Sequence, residues 1–231
     1  MSRKLMIGSV LIALVAMQQV KTAANGGSVS GGSAMSSSSV AEATPEQRAR
    51  DSYNSGIDHR DKGDKYEIDA LKQQPKDAEK TAKKATDEYT KALKDFQQAA
   101  RLDPTLAPAW NGMGYAFRKT GDHEKALLSY SEALRLLPNF PDALEYQGEA
   151  FLGLNRIDDA KSSYLNLLGK DRKQADALLK SMAAWVTKHK TEPGTVAASA
   201  VEALDVWVKE RAQIAASTVA MSLTDTRSIW K

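Results

Sequence analysis

In the stretch "AWNGMGYAFRKTGDHEKALLSYSEALRLLP", residues 109–138, Trp110, Met113, Gly114 and Phe117 stand at i, i+3, i+4 and i+7. That spacing puts them along one side of a helix. Ala126, Tyr130 and Ala133 repeat the period and predict a second helix. Between the two lies Thr120-Gly121-Asp122, in which the glycine suits a left-handed helix end and the aspartate can cap the next helix. Pro138 cannot extend a helical hydrogen-bond ladder and marks the end of the second helix. The pattern predicts an antiparallel hairpin. Gly114 gives the second helix room to approach, Ala126 and Ala133 do so from the other side, and Tyr130 fills the space between them.

At one constant offset along the chain, the same residue types return. Ala92, Ala126 and Ala160 are evenly spaced, as are Phe96, Tyr130 and Tyr164; by the same step Gly114 pairs with Gly148, Phe117 with Phe151 and Pro104 with Pro138. This resembles the tetratricopeptide repeat, whose pattern is W-x2-L-G-x2-Y, then A-x3-F, then P, over about 34 residues. Trp110, Gly114, Ala126, Ala133 and Pro138 match outright, and Met113, Phe117 and Tyr130 are conservative substitutes. The resemblance implies an all-α fold: an α-solenoid of antiparallel helix hairpins, each covering its neighbour. Residues 46–169 would hold three hairpins, the third looser, with Leu144 for the tryptophan, Gln147 for the leucine and no closing proline.

The first copy departs from the pattern. Its second helix is clear in "EYTKALKDFQQAARLDP", but Lys80 stands where the repeat wants glycine. Gly56, in "DSYNSGIDHRDKGD", takes that role if the stretch "KYEIDALKQQPKDAEKTAKKATDEY" carries an insertion. Residues 46–73 and 76–101 then read as two long antiparallel helices of about 38 Å at 1.5 Å per residue. Ala78, Ala82, Ala85 and Tyr89 would face Ile68 and Leu71. The alternative ends the first helix at Gly63 and Asp64 and leaves a solvated connector.

Beyond Gly169 the pattern fades into a degenerate fourth hairpin, residues 170–216, that caps the array, with a tail over 217–231. Leu178 and Trp185 keep their places there, and Met182 replaces the glycine. The last helix would start after Pro193-Gly194 with Thr195 as its cap, and bury Val196, Ala200, Leu204 and Trp207.

The N-terminus reads differently. Arg3 and Lys4 precede an apolar run from Leu5 to Met17, and small residues surround Ala24. Residues 1–24 are expected to be a signal peptide cut after Ala24, since the run falls short of the about 20 apolar residues that a spanning helix needs. The protein would be periplasmic or secreted, or membrane-anchored and facing the periplasm if that segment stays uncleaved. Residues 25–45, glycine- and serine-rich, form a flexible linker.

Composition narrows the function. Without residues 1–24 the chain carries 29 basic and 29 acidic residues, which argues against nucleic acid or an anionic membrane as the main partner. The absence of cysteine excludes disulfides, thiolate metal sites and cysteine nucleophiles. His59, His123 and His189 are widely separated in the chain, without the close spacing of metal motifs, and His123 falls at the exposed start of a helix. "GGSVSGG" lacks the lysine and strand-turn-helix context of a phosphate loop. No catalytic constellation, metal, cofactor or small-molecule substrate is expected.

The resemblance implies instead a protein-binding module whose first helices line a concave groove for a peptide or partner helix. Carried over position by position, the groove residues would be Tyr53, Asn54 and Ile57, then Asn111, Tyr115 and Arg118, then Glu145, Tyr146 and Glu149. Tyr115 would be an aromatic left on the surface, with Arg118 facing Glu145 and Glu149. The lysine- and asparagine-rich carboxylate clamp of some relatives is changed here to Tyr53, Ile57, Gly112, Asp142 and Tyr146, so chaperone C-termini are not the expected ligand. The sequence supports an exported adaptor for an unidentified protein. The other reading is a structural protein that self-associates through the long first hairpin or the C-terminal segment. Both leave the oligomeric state open.

Overall fold

The computed structural model describes residues 43–192 and 194–228. The expected signal peptide and nearly all of the expected linker lie outside the described residues. Eight helices form in chain order: α1 (Pro45–Ala70), α2 (Pro75–Leu102), α3 (Ala107–Lys119), α4 (His123–Leu136), α5 (Pro141–Gly153), α6 (Ile157–Leu168), α7 (Arg172–Thr191) and α8 (Ala198–Ser228). Consecutive helices pair as antiparallel hairpins, and α1, α3, α5 and α7 stand side by side along the stack.

The long first hairpin exists. Thr44 and Gln47 form a reciprocal capping box at the start of α1, and the helix runs through Gly63 and Asp64 without a break. Both glycines of α1 are packing sites. A Cβ on Gly56 would lie 2.6 Å from the Phe96 ring, and one on Gly63 would lie 2.5 Å from the Tyr89 ring. The two glycines and the two rings are equally spaced in opposite chain directions, which keeps the helices in one register. The buried stripe of α2 is Thr81, Ala85, Tyr89, Ala92, Phe96 and Ala99, where the sequence pattern had suggested Ala78 and Ala82. Leu71 falls in the turn and is exposed. The stripe passes through Thr81 because the helix is turned to set its two large rings on the glycines.

In the central hairpin Ala126, Tyr130 and Ala133 are all inaccessible, and the Tyr130 ring lies over Gly114. Gly121 takes φ +89°, and Asn155, one repeat further on, takes φ 60° at the matching turn. Asparagine is the non-glycine residue best suited to that conformation. Asp122 caps α4 by accepting from the Lys125 N–H at 3.2 Å.

His123 is not the solvated histidine its position suggests. Its ring packs against Gly153 of the next hairpin, its Nδ1 is buried, and burial followed by the nearby Arg118 lowers its pKa. At the far end Met182 and Leu204 are inaccessible, Trp185 donates to the Leu152 carbonyl at 2.9 Å, and Trp207 stands edge-on to Tyr164. Helix α8 begins three residues after Thr195, on the Ala197 carbonyl, because Val201, Leu204 and Val208 are the residues that reach the core. It also continues through Ser228, where a tail was expected from 217.

Candidate partner groove

The first helices of the hairpins are joined by polar contacts. Between α1 and α3, the Tyr115 hydroxyl donates to Asp64 Oδ1 at 2.6 Å, and Lys119 bonds to Glu67. Tyr89 of α2 donates to the same Asp64 oxygen at 2.7 Å. Between α3 and α5, Arg118 pairs with Glu149 at 2.7 Å, and its guanidinium lies 5.1 Å from the Tyr115 ring centre and 5.2 Å from that of Tyr146. Between α5 and α7, Gln174 donates to Asp142 and Ser181 to Glu149. The contacts cross all three junctions, so wall residues also hold the stack together.

This changes the standing of several expected groove residues. Tyr115 is 8% exposed: it meets Tyr146 edge-on at 5.1 Å and is committed to packing, not left on the surface. The cause is the extra length of α1, which carries Asp64 and Glu67 across to α3. Tyr53 is half-buried against Phe96, with ring centres 5.7 Å apart. Asn54 is exposed, and Ile57, Asn111 and Tyr146 are half-buried. Arg118 does face Glu149. Glu145, 5% exposed, forms no hydrogen bond or ion pair among the described residues.

Burial governs the electrostatics here. It pushes the Glu145 carboxyl well above its ordinary value, and the neighbouring Glu149 adds to the effect. Burial also raises Asp142, while the bond from Gln174 opposes it. For Arg118 burial works against the charge, but Glu149 and the surrounding tyrosines outweigh it and hold the cation. Sequence reasoning missed Arg60, Asp64, Glu67 and Lys119. A signal for Arg60 was present: it stands to Arg118 in the chain as Gly56 stands to Gly114. Among the described residues no group of three metal-ligating side chains converges, and no helix is long and apolar enough to cross a membrane.

Stacked hairpins with one wall made from their first helices define an α-solenoid of the kind that serves as a scaffold for protein contacts. The tetratricopeptide repeat family model matches residues 107–140. That match identifies a tetratricopeptide repeat within the chain, and repeats of this kind are in general terms protein–protein interaction scaffolds of a fold that is typically non-enzymatic. Among solved structures, "Crystal structure of MamA protein" is 20% identical, with the match covering 65% of this chain and 98% of that one at a TM-score of 0.33. No curated protein matches the sequence.

Proposed function

We propose that the wall formed by α1, α3, α5 and α7 holds an extended peptide or a helix of a partner protein, and that the chain works as an exported adaptor in the cell envelope. The observation that carries the groove reading is what remains on the wall after the core has closed. Asn54 is exposed, and Tyr53, Ile57, Asn111 and Tyr146 keep part of their surface on successive first helices. Tyrosine supplies large amphipathic contact area at little entropic cost, as binding surfaces require. The envelope reading rests on Arg3, Lys4, the apolar run and the small residues around Ala24.

Photo-crosslinking in the native host tests the groove. A crosslinker at Asn54 should yield a defined adduct, and one at Leu128, which is 72% exposed on α4, should not. Adducts from Leu128 alone would place the partner on the other side of the hairpins. A concentration-dependent size of the mature protein would favour self-association.

A further inference from the structure

The wall carries more carboxylates than its own cations use. Arg60 pairs with Asp61 at 2.7 Å, Arg118 with Glu149, and Lys119 with Glu67. Asp64 is taken up by two tyrosine hydroxyls and Asp142 by Gln174. Glu145 has no hydrogen bond or ion pair among the described residues, and Arg118, already paired with Glu149, is the cation whose charge reaches it. Its neighbours Asp142 and Glu149 stand three and four positions away on α5, so it faces the same side of that helix as they do. An ionised carboxylate at this depth without a donor is costly.

A second acceptor lies at the matching place one repeat earlier. Asn111 stands to Glu145 as Ala126 stands to Ala160, and its Oδ1 is buried without a hydrogen-bond partner among the described residues. Both positions can accept hydrogen bonds, and no donor reaches either among the described residues. A lysine ammonium offers three donors and no acceptor, and an arginine guanidinium five.

We infer that the groove recognises a partner segment through a cationic side chain, lysine or arginine, seated between Asn111 of α3 and Glu145 of α5. The inference rests on the groove reading given above and adds the chemistry of the ligand. Arg118 and Glu149 form the next pair along the wall and hold the site's shape, and an acidic side chain would meet further carboxyl groups of Asp142 and Glu145 there, which selects against it.

The probe is an immobilised positional-scanning decapeptide library, screened with the full mature chain, followed by titration of the enriched peptide in solution. Lysine or arginine should dominate at one position. For the resulting peptide, Glu145→Gln should weaken binding at least about tenfold, and much less for the same peptide with norleucine in place of the cation. Asn111→Asp, which adds a carboxylate without changing size, should tighten binding of the cationic peptide. Backbone amide shifts distinguish two kinds of failure. Peptides that perturb α3 and α5 without selecting a cation, or that ignore Glu145→Gln, overturn this inference and leave the groove reading standing. If no peptide binds, or if the shifts map elsewhere, both fall.

Discussion

Gly63 separates two accounts of the first hairpin by the sign of a mutational effect. In a solvated connector or an exposed helix interior, replacing it with alanine or leucine would stabilise by up to about 1 kcal/mol, because glycine is a poor helix former. In the structure a Cβ at this position meets Cε1, Cδ1 and Cζ of Tyr89 at 2.5, 2.8 and 2.9 Å. That ring cannot swing aside easily. Tyr89 is 1% exposed, its hydroxyl is tied to Asp64 at 2.7 Å, and the Lys119 ammonium sits 5.4 Å from its centre. Forcing extra methylenes against such a wall typically costs about 1–3 kcal/mol. Leucine adds four carbon atoms and belongs at the upper end, so after the propensity gain the net loss for Gly63→Leu is about 2 kcal/mol. For a folded region of this size that lowers Tm by roughly 4–8 °C. Thermal melts followed by circular dichroism read the magnitude, and hydrogen exchange of the α1 and α2 amides reads the location. A higher Tm, or undiminished protection in α1 and α2, would refute the packing argument.

Three further outcomes follow from the same geometry. Tyr115→Phe removes the hydroxyl that Asp64 accepts at 2.6 Å and should cost about 1.5–3 kcal/mol in urea unfolding, as bonds to charged groups do; an unchanged midpoint would contradict the buried role of Tyr115. Glu145 holds its proton more tightly when folded than its ordinary value of 4.5 implies, so above that pH the folded state binds more protons than the unfolded one and stability falls as pH rises. The Tm advantage of Glu145→Gln over the wild type should therefore widen from pH 4.5 to pH 8, and a constant difference would count against a strained carboxylate. Protein recovered from the native host should begin near Asn25 on N-terminal sequencing, and an intact Met1 in the soluble cytoplasmic fraction would remove the basis for export.

The hairpins and their repetition were legible because they are local. A helix needs its apolar residues three and four apart, a hairpin needs a turn residue such as Gly121, and a stack needs the same side-chain sizes at a fixed interval, as in Ala92, Ala126 and Ala160. Each of these conditions is met within a short window of chain. The role of Gly63 was not legible, since glycine in a helical stretch reads as a stop unless the ring opposite it is known. Nor was the burial of Tyr115. By periodicity it lies off the hairpin's own core stripe, and only the superhelical arrangement brings Asp64, 51 residues earlier, onto its hydroxyl. The sequence determined which faces are apolar and how often they recur. Which polar side chains meet across successive hairpins was decided by the length of α1 and the angle of the stack, because those pairings join residues that no local pattern connects.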